Sequence, residues 1–76
     1  MYDYPTRETV ARLRAMYPVG TRVELIEMHD PYRDMPPGLR GTVVAVDDIG
    51  TAHIVWDNGS SLGAAYGMDR IRRISD

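Results

Sequence analysis

GTVVAVDDIGTAHIVWDNGSSL, residues 41–62, reads as two short strands, a tight turn and the start of a third strand. The first strand is expected over residues 40–47 with Val44 and Val46 on one face, and the second over residues 51–56. Asp47, Asp48, Ile49 and Gly50 turn the chain between them. The turn after Trp56 sets the register. A two-residue loop of Asn58 and Gly59 places Trp56 opposite Ser61 and Ile54 opposite Gly63, which scatters the apolar side chains over both faces. A three-residue loop of Asp57, Asn58 and Gly59, with Gly59 left-handed in a bulge, places Ile54 opposite Leu62 and Ala52 opposite Ala64. Ala52, Ile54, Trp56, Leu62, Ala64 and Tyr66 then share one apolar face, and His53, Val55, Ser61, Gly63 and Ala65 face outward. Register follows the face that is buried, so the three-residue loop is preferred.

Before this stretch, Thr6 is a suitable helix N-cap and Glu8 sits in the first turn, where the helix dipole favours it. Val10, Leu13 and Tyr17 form one helical stripe over a helix of about residues 6–16, and Arg7, Arg12 and Arg14 point elsewhere. Pro18 and Gly20 end it. Residues 21–28, TRVELIEM, alternate as a strand with apolar residues on both faces, which suggests cover on two sides, with the helix as one cover. Residues 29–38, HDPYRDMPPG, form a loop longer than most, because proline cannot donate to a ladder. After the hairpin, a short turn over residues 67–70 leads into a closing strand over residues 71–74.

These elements read as one mainly β domain over residues 1–76: an N-terminal helix and lead-in over residues 1–20, then a small five-stranded SH3-like barrel over residues 21–76. The chain has no cysteine, so disulfides and thiolate sites are excluded. No apolar run is long enough to span a bilayer and no signal-peptide pattern opens the chain, so a cytoplasmic location is expected. The net charge is −2, and all nine basic residues are arginine. An acidic total argues against a dedicated nonspecific nucleic-acid binder, though not against a local arginine patch.

The catalytic candidates are Ser60 and Ser61 with His29 and His53, and their spacing matches no known nucleophile elbow or triad. His29, Asp30 and Asp34 share one loop without a recognisable ligand spacing, and Asp47-Asp48 lacks the pattern of a calcium loop. No enzyme activity, metal, cofactor or small-molecule substrate is therefore expected. Two binding readings remain. The first is a protein partner bound by the 29–38 loop, with Tyr32, Arg33 and Met35 as contacts, since Tyr, Arg and Met are enriched in interface cores. The alternative is nucleic acid held by Arg40, Arg70, Arg72 and Arg73, set against the plainer reading of arginines that protect an edge strand.

Asp30-Pro31-Tyr32, Pro36-Pro37-Gly38, Gly41-Thr42-Val43, the WDNGSSLG run from Trp56 to Gly63, and Tyr66 occur in that order. Together they resemble a small bacterial domain family of unknown function, met in Gram-positive bacteria, phages and conjugative elements. The resemblance runs over about residues 4–74 and implies an SH3-like fold and a mobile-element setting, with no activity attached. The WDNGS run alone is also similar to the SH3-like domain of mind bomb and HERC-type ubiquitin ligases. The chain departs from the SH3 domains that bind proline-rich peptides: Trp56 ends its strand and is expected to point into the core.

Overall fold

The computed structural model describes residues 6–28, 35–65 and 69–75. Helix α1 spans Arg7–Met16. It starts where expected: Thr6 Oγ1 accepts the Thr9 N–H at 3.2 Å, and the Tyr17 N–H closes the last turn on the Leu13 carbonyl at 2.8 Å. Five strands follow, β1 Arg22–Glu27, β2 Arg40–Val46, β3 Thr51–Trp56, β4 Ala64–Ala65 and β5 Arg70–Arg73. All pairings are antiparallel, in the order β4-β3-β2-β1-β5. The sheet is not closed: among the described residues β4 and β5 lie near one another without pairing. An unclosed sheet thus stands where a barrel was expected.

The β3–β4 hairpin adopts the three-residue loop. Ala52 lies opposite Ala64, the Leu62 N–H reaches the Ile54 carbonyl at 3.2 Å, and the Trp56 N–H reaches the Ser60 carbonyl at 2.8 Å. Gly59 has φ +92, a conformation that side chains with a Cβ rarely adopt. The inward face is the apolar one. Trp56, Ile54, Leu25, Val23 and Val43 are all but fully buried, with Ala52 and Ala64 beside them. Trp56 is inside, as the register required, and its Nε1–H is spent on the Leu62 carbonyl at 2.9 Å. Tyr66, also assigned to this face, and residues 67 and 68 of the expected turn lie outside the described residues.

Two expectations are corrected. Val44 and Val46 do not share a face. Val43 pairs with Ile54 and Ala45 with His53, so Val44 is the extra residue of a β-bulge. The bulge leaves Val44 46% exposed and turns Val46 back toward the core, where it packs. Among the described residues, strand β1 is also not covered on both faces. The helix lies against β2, placing Val10 inside and Leu13 and Tyr17 half-inside, and Ile26 on the far face of β1 is 38% exposed. Arg14 fixes this placement, donating to the Val46 carbonyl at 3.1 Å and to Asp48 Oδ1 at 2.6 Å.

Candidate interaction site

The outward face of the sheet is built from charge. Register places Arg40, Glu24 and Arg72 side by side across β2, β1 and β5, and Asp57, just past the end of β3, donates its N–H to the Arg40 carbonyl at 2.8 Å. Arg72 donates to Glu24 Oε1 through Nε at 3.0 Å and Nη2 at 2.6 Å. Arg22, one row away, grips Asp57 with both guanidinium nitrogens, at 2.9 and 2.7 Å, and also reaches Thr42 Oγ1 at 3.0 Å. The Arg22 hydrogen bonds hold the Asp57 carboxyl below its usual range; partial desolvation opposes this, and the charges of Arg22 and Arg40 reinforce it. A carboxyl depressed in the folded state stabilises above its unfolded value of 3.8 and loses that contribution as pH falls through the lower folded value. Asp57→Asn is therefore expected to be less stable than the natural protein at neutral pH and to converge with it in strong acid. Urea unfolding at the two pH values measures this; an unchanged gap would show that the pair adds nothing.

The four arginines of the nucleic-acid alternative are spread over β2 and β5. Arg40 and Arg72 flank Glu24 on the outward face. Arg73 lies opposite Val23, and Arg70 follows a register shift in β1 between Leu25 and Glu27. Among the described residues Arg70 and Arg73 form no ion pair, and both are exposed. Tyr32 and Arg33 lie outside the described residues, as do His29, Asp30 and Asp34. Met35, the third expected contact residue, is half-buried and packs against the core.

His53 and the backbone of Ser60 are engaged in turns. Asp47 Oδ1 accepts the N–H groups of Ile49 and Thr51 at 3.1 and 2.9 Å, and its Oδ2 takes His53 Nε2 at 2.8 Å. Burial works against the Asp47 charge, but the hydrogen bonds from Thr51, His53 and Ile49 outweigh it and lower the carboxyl. The Ser60 N–H caps the side chain of Asn58 at 3.0 Å. His53 and Asp47 thus brace the β2–β3 turn.

A feature missed in the sequence lies at the seam between β4 and β5. A cavity of about 410 Å³ opens there, lined by Leu13 and Tyr17 of the helix and by Val46, Ala52, Ala64 and Ile71. Asp69 and Arg70 add its polar wall. Asp69 is clamped to Ala65 in both directions: its N–H donates to the Ala65 carbonyl and its Oδ2 accepts the Ala65 N–H, each at 3.0 Å. That clamp fixes where β5 starts and hence where Arg70 stands. Among the described residues β4 spans only Ala64–Ala65 and does not pair with β5 at this seam.

A family model described as "Domain of unknown function (DUF4314)" matches residues 6–74. The chain belongs to the DUF4314 family. The match runs from the cap of α1 through β5, so the helix is part of the DUF4314 unit rather than an addition to it. No curated protein and no solved structure matches the chain. No helix among the described residues of this DUF4314 domain is long and apolar enough to cross a membrane.

Proposed function

We propose that this DUF4314 domain is a non-enzymatic interaction module that binds a protein partner. The observation that carries this reading is the apolar cavity at the seam, a volume within the range of ligand sites in a domain too small to enclose a cleft. Strand β1 ends at Glu27, paired with Arg70, so the chain leaves β1 beside the cavity wall. Tyr32 and Arg33 are proposed as contacts from that loop, with Met35 bracing its far end against the core. The finer fold reading, an SH3-like barrel left open at one seam, belongs to the same proposal and is supported by a meander of β1 to β4 with β5 returning to β1. A cytoplasmic, phage- or mobile-element-borne protein is its proposed setting.

The nucleic-acid alternative is weaker on electrostatic grounds. Arg72 is already bound to Glu24, and Arg40 stands between Glu24 and Asp57, so two of its four cations carry neighbouring carboxylates. An amide NMR titration with short single- and double-stranded DNA and RNA, at low and moderate salt, tests the choice. No salt-sensitive shifts are expected at Arg40 or Arg72. Salt-sensitive shifts spread over Arg40 and residues 70–73 would replace the protein-partner reading with the nucleic-acid one.

A further inference from the structure

We infer that the outer edge of β5 receives an extended acidic segment of a partner protein, with one apolar side chain of that segment seated in the seam cavity. The inference rests on the protein-partner reading and specifies the partner's chemistry.

Three observations meet at this edge. The first is backbone. β5 pairs with β1 on one side, and the Ile74 N–H donates to the Arg22 carbonyl at 3.0 Å. Antiparallel ladders alternate hydrogen-bonded and non-hydrogen-bonded pairs. Glu24 and Arg72 therefore form the next hydrogen-bonded pair, and the N–H and C=O groups of Ile71 and Arg73 point away from β1. Among the described residues no strand pairs along that side; β4 only approaches its Arg70 end, where Ala65 is tied to Asp69. An added strand finds donors and acceptors there at the spacing of a β-ladder.

The second is shape. Ile71 shares the inward side with its partner Leu25 and forms part of the cavity wall. A strand laid beside β5 alternates its side chains between the two faces, so the residue next to Ile71 turns into the cavity.

The third is charge. Arg73 stands on the same side as Ile71, two positions along, and Arg70 forms the other end of the cavity wall. Both are exposed and without an ion pair among the described residues, whereas Arg72 between them is neutralised by Glu24. The nearby acids are otherwise placed: Asp69 is held by Ala65, and Glu27, opposite Arg70 in the register, has a partner of its own. A carboxylate two positions from the apolar anchor meets Arg73, and the interaction also suppresses cationic competitors. Arginines that merely protect an edge from pairing would give no such selectivity.

The probe is a capped peptide of sequence threonine–glutamate–threonine–leucine–threonine–glutamate–threonine, symmetric so that it satisfies either strand direction. Titrated into the labelled domain, it is expected to shift the amides of residues 70–73 and of Ala64 and Ala65. Replacing both glutamates with lysine, or the leucine with serine, is expected to weaken binding by about tenfold or more. Arg70→Glu with Arg73→Glu, two exposed positions, is expected to retain the folded spectrum, lose the glutamate peptide and gain the lysine one. Absence of shifts with the glutamate peptide, or equal shifts with its lysine version, overturns the inference. So does a purified protein partner whose binding is indifferent to the double charge reversal but lost with Tyr32→Ala; that result leaves the protein-partner reading standing. Shifts on residues 70–73 from oligothymidylate alone overturn both.

Discussion

Trp56→Ala is expected to unfold the domain. Trp56 is 1% exposed and is the largest of the fully buried side chains. Truncating a buried tryptophan to alanine costs about 3–5 kcal/mol, through lost burial and the void left behind. A domain of this size without disulfide or metal seldom has more than about 3–5 kcal/mol to lose. The variant is thus expected to show no cooperative transition in urea and no dispersed amide spectrum. Trp56→Phe separates the ring's volume from its hydrogen bond. It keeps much of the packing but leaves the Leu62 carbonyl without its donor, for which about 1–3 kcal/mol is expected. A folded, fully stable alanine variant would mean that the core is organised around another residue.

The second large effect is expected at Gly41, directly opposite Trp56 in the β2–β3 ladder. A Cβ there would lie 2.7 Å from Ile54 Cγ2, 2.9 Å from Trp56 Cε3 and 3.0 Å from the Val55 carbonyl oxygen. The first two atoms belong to side chains almost wholly buried, and the third is backbone, so none has room to give. Overpacking of this kind costs about 1–3 kcal/mol. Gly41→Ala is therefore expected to lower the urea midpoint sharply, and Gly41→Val to prevent folding. The two sites share one space, so their effects should not add. Gly41→Ala is expected to cost less in the Trp56→Phe background than alone. A simple sum of the two single effects would show that Ile54 or the Val55 backbone, not the indole, meets the new methyl.

The contrast between these residues and the candidate site explains what could be read in advance. The helix cap at Thr6, the β3–β4 register and the inward Trp56 were legible, because each depends on residues close in sequence and on one apolar face. The bulge at Val44 was not, since no glycine or proline marks it and it appears only when β2 is laid against β3. The arginines looked like one patch because Arg70, Arg72 and Arg73 are adjacent in the chain. Their division depends on Glu24, which reaches Arg72 from a strand far away in sequence. Arg22 and Asp57 drew no attention for the same reason. The seam cavity had no signature, since its wall is assembled from the helix and from β2 to β5, residues far apart in the chain.

The pairing of β1 with β5 has a consequence in time as well as space. Strands β1 to β4 follow one another along the chain and each pairs with its neighbour, and the β2–β3 and β3–β4 hairpins can zip from short loops. The β1–β5 ladder must instead bring together segments that the rest of the sheet separates, and the entropy of closing that loop is lost before any contact compensates for it. Folding is therefore expected to complete at β5, with opening fluctuations beginning there. The edge offered to a partner is also the youngest part of the native state, and a strand docked on it would act as a latch on the whole meander.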